Sequence, residues 1–417
     1  MTFEYKNSEL FCEQVAVSKI AEKVATPAYV YSKKILENNY NKFKTEFAKF
    51  DFKTTICFAV KANSNLAVLK TFANLGSGAD TVSEGEIRRA LLAGIPAEKI
   101  VFSGVGKTIA EMELGLNNNI GQFNAESPEE LEILNNVAKR LGKVAPVSLR
   151  VNPNVDASTH EKITTGRKCD KFGIDGDYIL QTYERTKALK NIDVQGITCH
   201  IGSQITTLDP YKKAFAKVAE FIKQLRAEGH NIRRIDLGGG VGIDYSDNQI
   251  IEIADYAQAV NEAIGSLGVE LILEPGRVLV GDAGIIVTEV QFIKHTTEKN
   301  FIVIDAAMND LMRPAMYGSY HKIITVKQAK AEGLYDVVGP VCESSDIMGK
   351  DRELPELKKG DLLTILSAGA YGAVMSGNYN TRPLIPEVLV SNDKFEVIRK
   401  RETYDEIFAK ETIPEWL

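Results

Sequence analysis

From about residue 54 onward, short apolar runs alternate with longer stretches whose apolar positions recur at three- and four-residue spacing. The first pattern is that of a buried strand, the second that of an amphipathic helix. The strands so predicted are Thr55–Val60, Gly78–Asp80, Ile100–Ser103, Ile120–Asn124, Val147–Val151, Gly196–His200, Arg234–Leu237 and Glu270–Leu273. Helices are predicted between them at about 64–75, 83–93, 108–117, 126–140, 176–189, 210–228 and 249–267. Some open on start signals, such as Ser83 with Glu86 and Ser127-Pro128-Glu129-Glu130. Eight apolar strands alternating with helices is the α/β pattern of a closed (β/α)8 barrel, with a doubly wound open sheet as the rival.

The flanks differ. Before residue 30 there are short strand-like pieces, ending at Thr26-Pro27-Ala28-Tyr29-Val30-Tyr31, and Ser32 stands as an N-cap for a helix through the forties. After Arg277, strand-like runs replace the helix alternation: Gly284–Phe292, Phe301–Ile304, Tyr335–Val338, Asp361–Leu366 and Pro386–Val390. The expected division is therefore a barrel over 32–280 and a discontinuous, mostly β domain of sandwich or barrel type from 1–31 plus 281–417. The stretch 153–171 has no apolar periodicity and is long for a connector. It reads either as a lid over the barrel mouth or as a plain exposed loop.

Composition narrows the classes. A chain of 417 residues exceeds one core, so two domains are the default. The net charge of −6 argues against nucleic acid and acidic membranes as partners. No apolar stretch approaches the roughly 18 residues of a spanning helix. Met1-Thr2-Phe3-Glu4-Tyr5-Lys6 lacks a secretion pattern, so a cytoplasmic place is expected. The five cysteines, at 12, 57, 169, 199 and 342, are odd in number and scattered, as free thiols are. Neither cysteines nor histidines show ligand spacing, so no metal is expected.

Polar residues follow the predicted strand ends: Lys61, Asp80, Ser103, Asn124, Asn152, His200, Gly238-Gly239-Gly240 and Glu274. Barrel enzymes place their chemistry at those ends. Lys61, after Ile56–Val60, would be a desolvated amine able to form a Schiff base with an aldehyde such as pyridoxal phosphate; a solvated lysine is the plain alternative. Gly238–Gly242 would let backbone N–H groups ring a phosphate, or be only a tight turn. Glu274 would pair with a pyridine nitrogen or, structurally, with Arg277. At about 4 Å and an effective dielectric of about 20, the pyridine pair gains roughly 4 kcal/mol, or about three pKa units in favour of pyridinium. His200 can stack on such a ring while Ser203 reaches phosphate.

Together, Phe58-Ala59-Val60-Lys61-Ala62-Asn63, His200-Ile201-Gly202-Ser203-Gln204, the triple glycine and Glu274-Pro275-Gly276-Arg277 resemble the barrel-type (fold type III) pyridoxal-phosphate decarboxylases. Those act on diaminopimelate, ornithine, lysine and arginine. The segments Met308–His321, Gly339–Asp346 and Gly369–Ala373 resemble the diaminopimelate branch. The resemblance implies pyridoxal 5'-phosphate on Lys61, His200 stacked on its ring and Glu274 at its nitrogen. Ser203, Gly239, Gly240, Gly276, Arg277 and Tyr371 would hold phosphate or nearby groups. Arg277, Arg313, Tyr317, Glu343 and Tyr371 would bind substrate, and Cys342 would donate a proton from the partner subunit of a homodimer. The implied reaction converts meso-2,6-diaminopimelate to L-lysine and carbon dioxide, the last step of bacterial lysine synthesis. The residues agree on substrate class: arginine forks suit the distal carboxylate and Glu343 the distal ammonium. Three alternatives stay open: a decarboxylase of ornithine, lysine or arginine; a racemase, which would resemble arginine rather than Glu274 at the ring nitrogen; and a noncatalytic regulator.

Overall fold

Eight short parallel strands close into a ring in the computed structural model, which describes residues 3–157, 165–166, 170–246 and 250–417. They are β1 (Thr54–Ala59), β2 (Gly78–Thr81), β3 (Ile100–Phe102), β4 (Gln122–Ala125), β5 (Ala145–Asn152), β6 (Ile192–Thr198), β7 (Arg234–Asp236) and β8 (Glu270–Leu273). Each pairs with the next, and β8 returns to β1 through Leu271 opposite Thr54 and Leu273 opposite Ile56. Closure disposes of the open-sheet alternative. β1 to β4 are buried almost throughout, as strands of a parallel ring covered by helices are on both faces.

Helices follow the strands at Leu66–Asn74, Glu84–Leu92, Ile109–Asn117, Pro128–Arg140, Ile179–Thr186, Asp209–Ala227 and Ile253–Ile264. Their starts have chemical causes. Ser83 and Ser127 accept from the backbone of Glu86 and Glu130, and Thr108 with Glu111 forms a reciprocal capping box. The last helix begins later than expected, and residues 247–249 lie outside those described. Strand boundaries moved by one to four residues: the strand expected from Ile120 starts at Gln122, and the largest shift is that of the strand expected over Gly196–His200, which runs over Ile192–Thr198. A two-residue strand, Ile174–Asp175, pairs with β5 and had no periodic signal.

The chain divides into two compact units. The barrel unit runs from Glu37 to Leu279 apart from a short piece at Tyr245. The other holds the residues up to Leu36, that piece and Val280–Leu417. In this second unit the strand Ala28–Ser32 lies antiparallel to Gly284–Val287 on one side and parallel to Glu387–Val390 on the other. An N-terminal strand in mid-sheet makes the unit discontinuous. Tyr29, Ile286, Ile304, Leu311, Val337 and Ile365 share one core; Val17, Ile20, Val30, Val287 and Val388 share another.

Several elements of this unit had been missed, three of them for reasons visible in the sequence. Val17–Val24 is a helix, not a strand piece, burying Val17, Ile20 and Ala21 at helical spacing. Ile347–Leu354 and Lys394–Arg399 are strands rich in charge, and they stand at the two ends of the sheet order. Charges on edge strands discourage further pairing and also hide the strand pattern. Among the described residues no helix is long and apolar enough to cross a membrane, and no group of three or more His, Cys, Asp or Glu is arranged to hold a metal ion. Cys12, Cys57, Cys199 and Cys342 are free thiols; Cys169 lies outside the described residues.

Candidate active site

β1 ends at Ala59, one residue earlier than the apolar run suggests, and Lys61 sits in the single 3-10 turn Val60–Ala62 that follows. Its Nζ donates to Asp80 Oδ2 at 2.6 Å; Asp80, on β2, is fully buried. This corrects the expectation of a lone desolvated amine. A buried carboxylate at that distance stabilises the ammonium, so the lysine is held as a paired cation. The other Asp80 oxygen, Oδ1, is buried and has no hydrogen-bond partner among the described residues.

The ring interior above β4 is polar, with Asn124 at its hub. Asn124 Nδ2 donates to Ser103 Oγ at 3.0 Å, Asp236 Oδ2 at 3.2 Å and Glu274 Oε1 at 3.4 Å. Its Oδ1 accepts from Thr198 Oγ1 at 2.9 Å and Gln122 Nε2 at 2.7 Å. Asp236 and Glu274 therefore meet at one amide nitrogen. Burial above all, then repulsion from Asp236 and from Asp80, raises the Glu274 carboxyl well above the usual range. Asp236 is raised as well, chiefly by burial. Asp236, Gln122 and Thr198 were not among the expected site residues. The signal was present for Asp236, a charge inside the apolar run Ile235-Asp236-Leu237.

His200 stands just past β6. Its Nδ1 accepts from Gly239 N at 3.2 Å. Burial first, then the Arg150 and Lys61 cations, pushes its pKa well below the usual value, so the imidazole is neutral. A neutral ring stacks on an aromatic face without adding charge to it. Thr165 Oγ1 donates to His200 O at 2.8 Å, tying one part of the 153–171 stretch to this loop. Residues 158–164 and 167–169 of the expected lid lie outside the described residues.

After β7 the glycine loop is held from both sides. Asp236 Oδ1 accepts from Gly238 N at 2.9 Å, and Gly238 O accepts from Glu274 N at 2.6 Å. Gly238 and Gly240 have φ of +64° and +105°. A Cβ on Gly239 would stand 2.1 Å from Glu274 O, and one on Gly240 2.3 Å from Gly202 O. Side chains cannot enter there, which leaves backbone N–H groups for a phosphate. Arg277 Nη2 donates to Ser203 Oγ at 3.1 Å, putting a guanidinium and a hydroxyl side by side; Gly276 precedes that arginine. The barrel thus carries an amine, a neutral imidazole, a buried acid and a glycine cradle. These fit a phosphorylated pyridine aldehyde, and the partnerless Asp80 Oδ1 is a further polar atom available to a bound group.

The second unit has its own cluster. Arg313 opens the short helix Arg313–Tyr317 and is buried. Its guanidinium donates to Ser319 Oγ at 3.2 Å and to His321 Nε2 at 3.4 Å, and lies 5.2 Å from the Tyr245 ring and 6.0 Å from that of Tyr317. Residue type alone would put Arg313, beside Pro314, at the surface and the Cys342 thiol in the interior; the structure has the reverse. Cys342 is exposed, in the connection between the strands Gly333–Val338 and Ile347–Leu354. The Asp346 carboxylate pins that connection by accepting from Met308 N and Val341 N, each at 2.7 Å. Glu343 accepts from the Ser345 and Tyr379 hydroxyls, which lower its pKa. Tyr371 takes a left-handed backbone, φ +54°, between Ala370 and Gly372.

The chain is similar to known proteins along nearly its whole length. Residues 33–281 match the family described as pyridoxal-dependent decarboxylase, pyridoxal binding domain. A diaminopimelate decarboxylase of Vibrio cholerae is 49% identical over 99% of this chain and 99% of its own length. The crystal structure of a diaminopimelate decarboxylase from M. jannaschii in complex with L-lysine superposes with a TM-score of 0.96 at 41% identity, covering 100% of this chain and 99% of that one. A Helicobacter pylori diaminopimelate decarboxylase with L-lysine gives 0.91 at 42% identity, covering 94% and 98%.

Proposed function

The chain belongs to the pyridoxal-dependent decarboxylases and, among them, to the diaminopimelate decarboxylases, and from that premise we propose the division of roles that follows. The enzyme removes a carboxylate from meso-2,6-diaminopimelate as carbon dioxide and yields L-lysine. Pyridoxal 5'-phosphate, when bound, supplies an electron sink for the carbanion left behind.

In this reading Lys61 carries the cofactor, and Asp80 receives or returns the proton that the lysine must lose to act as a nucleophile. His200 covers one face of the ring, and its neutrality leaves the electron demand to Glu274. The glycine loop, Ser203, Gly276, Arg277 and Tyr371 bind the phosphate end. Substrate recognition is assigned to Arg277, Arg313, Tyr317, Glu343 and Tyr371. The supporting observation is the buried Arg313, whose fork is oriented by Ser319 and His321 and backed by two aromatic rings. A diamine-forming decarboxylase needs only an ammonium site; a fixed guanidinium suits the second carboxylate of diaminopimelate. Proton return to the α-carbon is assigned to Cys342 of the partner subunit in a cytoplasmic homodimer. Its support is the exposure of Cys342 and Glu343 on a connection pinned at its base.

The test is carbon dioxide release from meso-diaminopimelate measured beside ornithine, lysine and arginine. Turnover of diaminopimelate at least about a hundredfold faster is expected from the loss of paired, charge-assisted hydrogen bonds with the others. Equal or greater turnover of ornithine or lysine would remove the assignment.

A further inference from the structure

Three acids, Asp80, Asp236 and Glu274, gather in the barrel interior near one ammonium, that of Lys61, which Asp80 engages at 2.6 Å. Asp236 and Glu274 are left with each other. They are 0% and 7% exposed, and the Asn124 amide nitrogen lies within 3.2 and 3.4 Å of one oxygen of each. One amide nitrogen thus holds an oxygen of each carboxyl group in a buried interior. Two like charges held so close in a dry site cannot both persist, so one of the acids carries a proton.

The surroundings decide which one. Asp236 accepts from Gly238 N at 2.9 Å through Oδ1, and from the Asn124 and Gln122 amides at 3.2 and 3.3 Å through Oδ2. Donors on both oxygens stabilise the anion. Glu274 has the single, longer contact with Asn124. From β2, Asp80 disfavours ionisation of both acids, while Lys61, after β1, favours that of Glu274. The Cys57 and Cys199 thiols, facing the pair from β1 and from beyond β6, are held protonated by burial and by these acids. Of the arginines nearby, Arg150 on β5 is paired with Glu126 and Arg234 on β7 with Glu270. The proton therefore resides on Glu274.

Resting on the cofactor assignment above, we propose that Asp236 is a positioning residue that keeps Glu274 protonated before the cofactor enters, so that the chain itself supplies the proton the pyridine nitrogen carries afterwards. The Glu274 O–H bond breaks, the ring N–H bond forms, and Glu274 is left as the carboxylate opposite it. No proton is drawn from solvent. Because Asp236 Oδ1 also receives Gly238 N, the same side chain fixes the acid at one end of the cofactor and the start of the phosphate loop at the other.

The experiment is a proton count. Calorimetric titration of the cofactor-free full chain is run in buffers of different ionisation enthalpy, at a pH where the free ring nitrogen is unprotonated. The two ligands are pyridoxal 5'-phosphate and its 1-deaza analogue, which has carbon in place of that nitrogen. Contributions from Lys61 and the phosphate cancel in the difference. The expected excess uptake for pyridoxal phosphate is about zero; an excess of about one proton would mean Glu274 starts ionised and would overturn the proposal. In Asp236→Asn the neighbouring anion is gone, Glu274 ionises more readily, and the excess should rise toward about one proton. An unchanged count in a variant that still binds would remove Asp236 from the role. Absence of binding by either ligand to the wild-type chain would instead sink the cofactor assignment itself.

Discussion

Inside the barrel, Lys61, Asp80, Asp236 and Glu274 are buried or half-buried and met by partners from neighbouring strands or the loops that leave them, while in the second unit Cys342 and Glu343 stand exposed on a connection that Asp346 and Asn380 hold in place. Under the roles proposed above, the difference follows from what each region would handle. Groups that face the same cofactor atoms in every turnover gain from a geometry fixed by ring closure. Groups that receive substrate must be reached, and loops between strands supply that access. Arg313 is the intermediate case, a buried cation in a short helix with its own hydrogen-bonded support.

Substitutions can break or sharpen this contrast. The largest effect is expected at Glu274. Replacing it with Gln removes the acid that stabilises pyridinium, an interaction of roughly 4 kcal/mol, so kcat should fall about a thousandfold while cofactor still binds. A loss under tenfold would deny the barrel interior its electronic role. Next is Cys342→Ala, where product formation should drop about a hundredfold, the range of a lost proton donor, with cofactor loading unchanged. Equal damage to loading and turnover would contradict the separation of the two regions. Arg313→Ala should then lower kcat/KM for meso-diaminopimelate about 10- to 100-fold, as the loss of charged hydrogen bonds implies, and Lys at that position should rescue little because it lacks the planar fork. Near-normal kinetics in the alanine variant would take Arg313 out of the site.

The smallest effect concerns stability. Glu86, in the first turn after β2, accepts from Val82 N, yet burial pushes its pKa up to about 7. Its folded pKa exceeds its unfolded one, so its protonated form is the favoured one in the fold. The stability it allows is complete below the unfolded value and is lost as pH rises through about 7. Glu86→Gln should therefore be more stable than wild type at pH 8, by about 1–2 kcal/mol after allowance for partial exposure, and indistinguishable from it near pH 4. Urea denaturation at the two pH values measures the gap; an equal gap at both would mean the effect is not ionisation.

The strands of the ring were legible because burial on both faces leaves apolar runs such as Ile56-Cys57-Phe58-Ala59, and the helix starts because Ser83, Thr108 and Ser127 are caps readable by chemistry. Lys61, His200, Glu274 and the glycine loop were legible as polar breaks after those runs. Asp80 as the partner of Lys61, and Asp236 as that of Glu274, were not. Such pairings depend on which strands are neighbours in a closed ring, and Asp236 meets Glu274 at Asn124 although they stand 38 positions apart in the chain. The edge strands Ile347–Leu354 and Lys394–Arg399 escaped for the opposite reason, since half-exposed charged strands have no apolar run to see.

The account stands on Lys61 as the amine that carries the cofactor at a barrel mouth shared with Glu274. Incubation with pyridoxal 5'-phosphate, reduction with borohydride and peptide mapping measure this directly. The predicted result is a single pyridoxyl group on the peptide containing Lys61, absent from Lys61→Ala. Attachment to another lysine, or none in a folded protein, would contradict it.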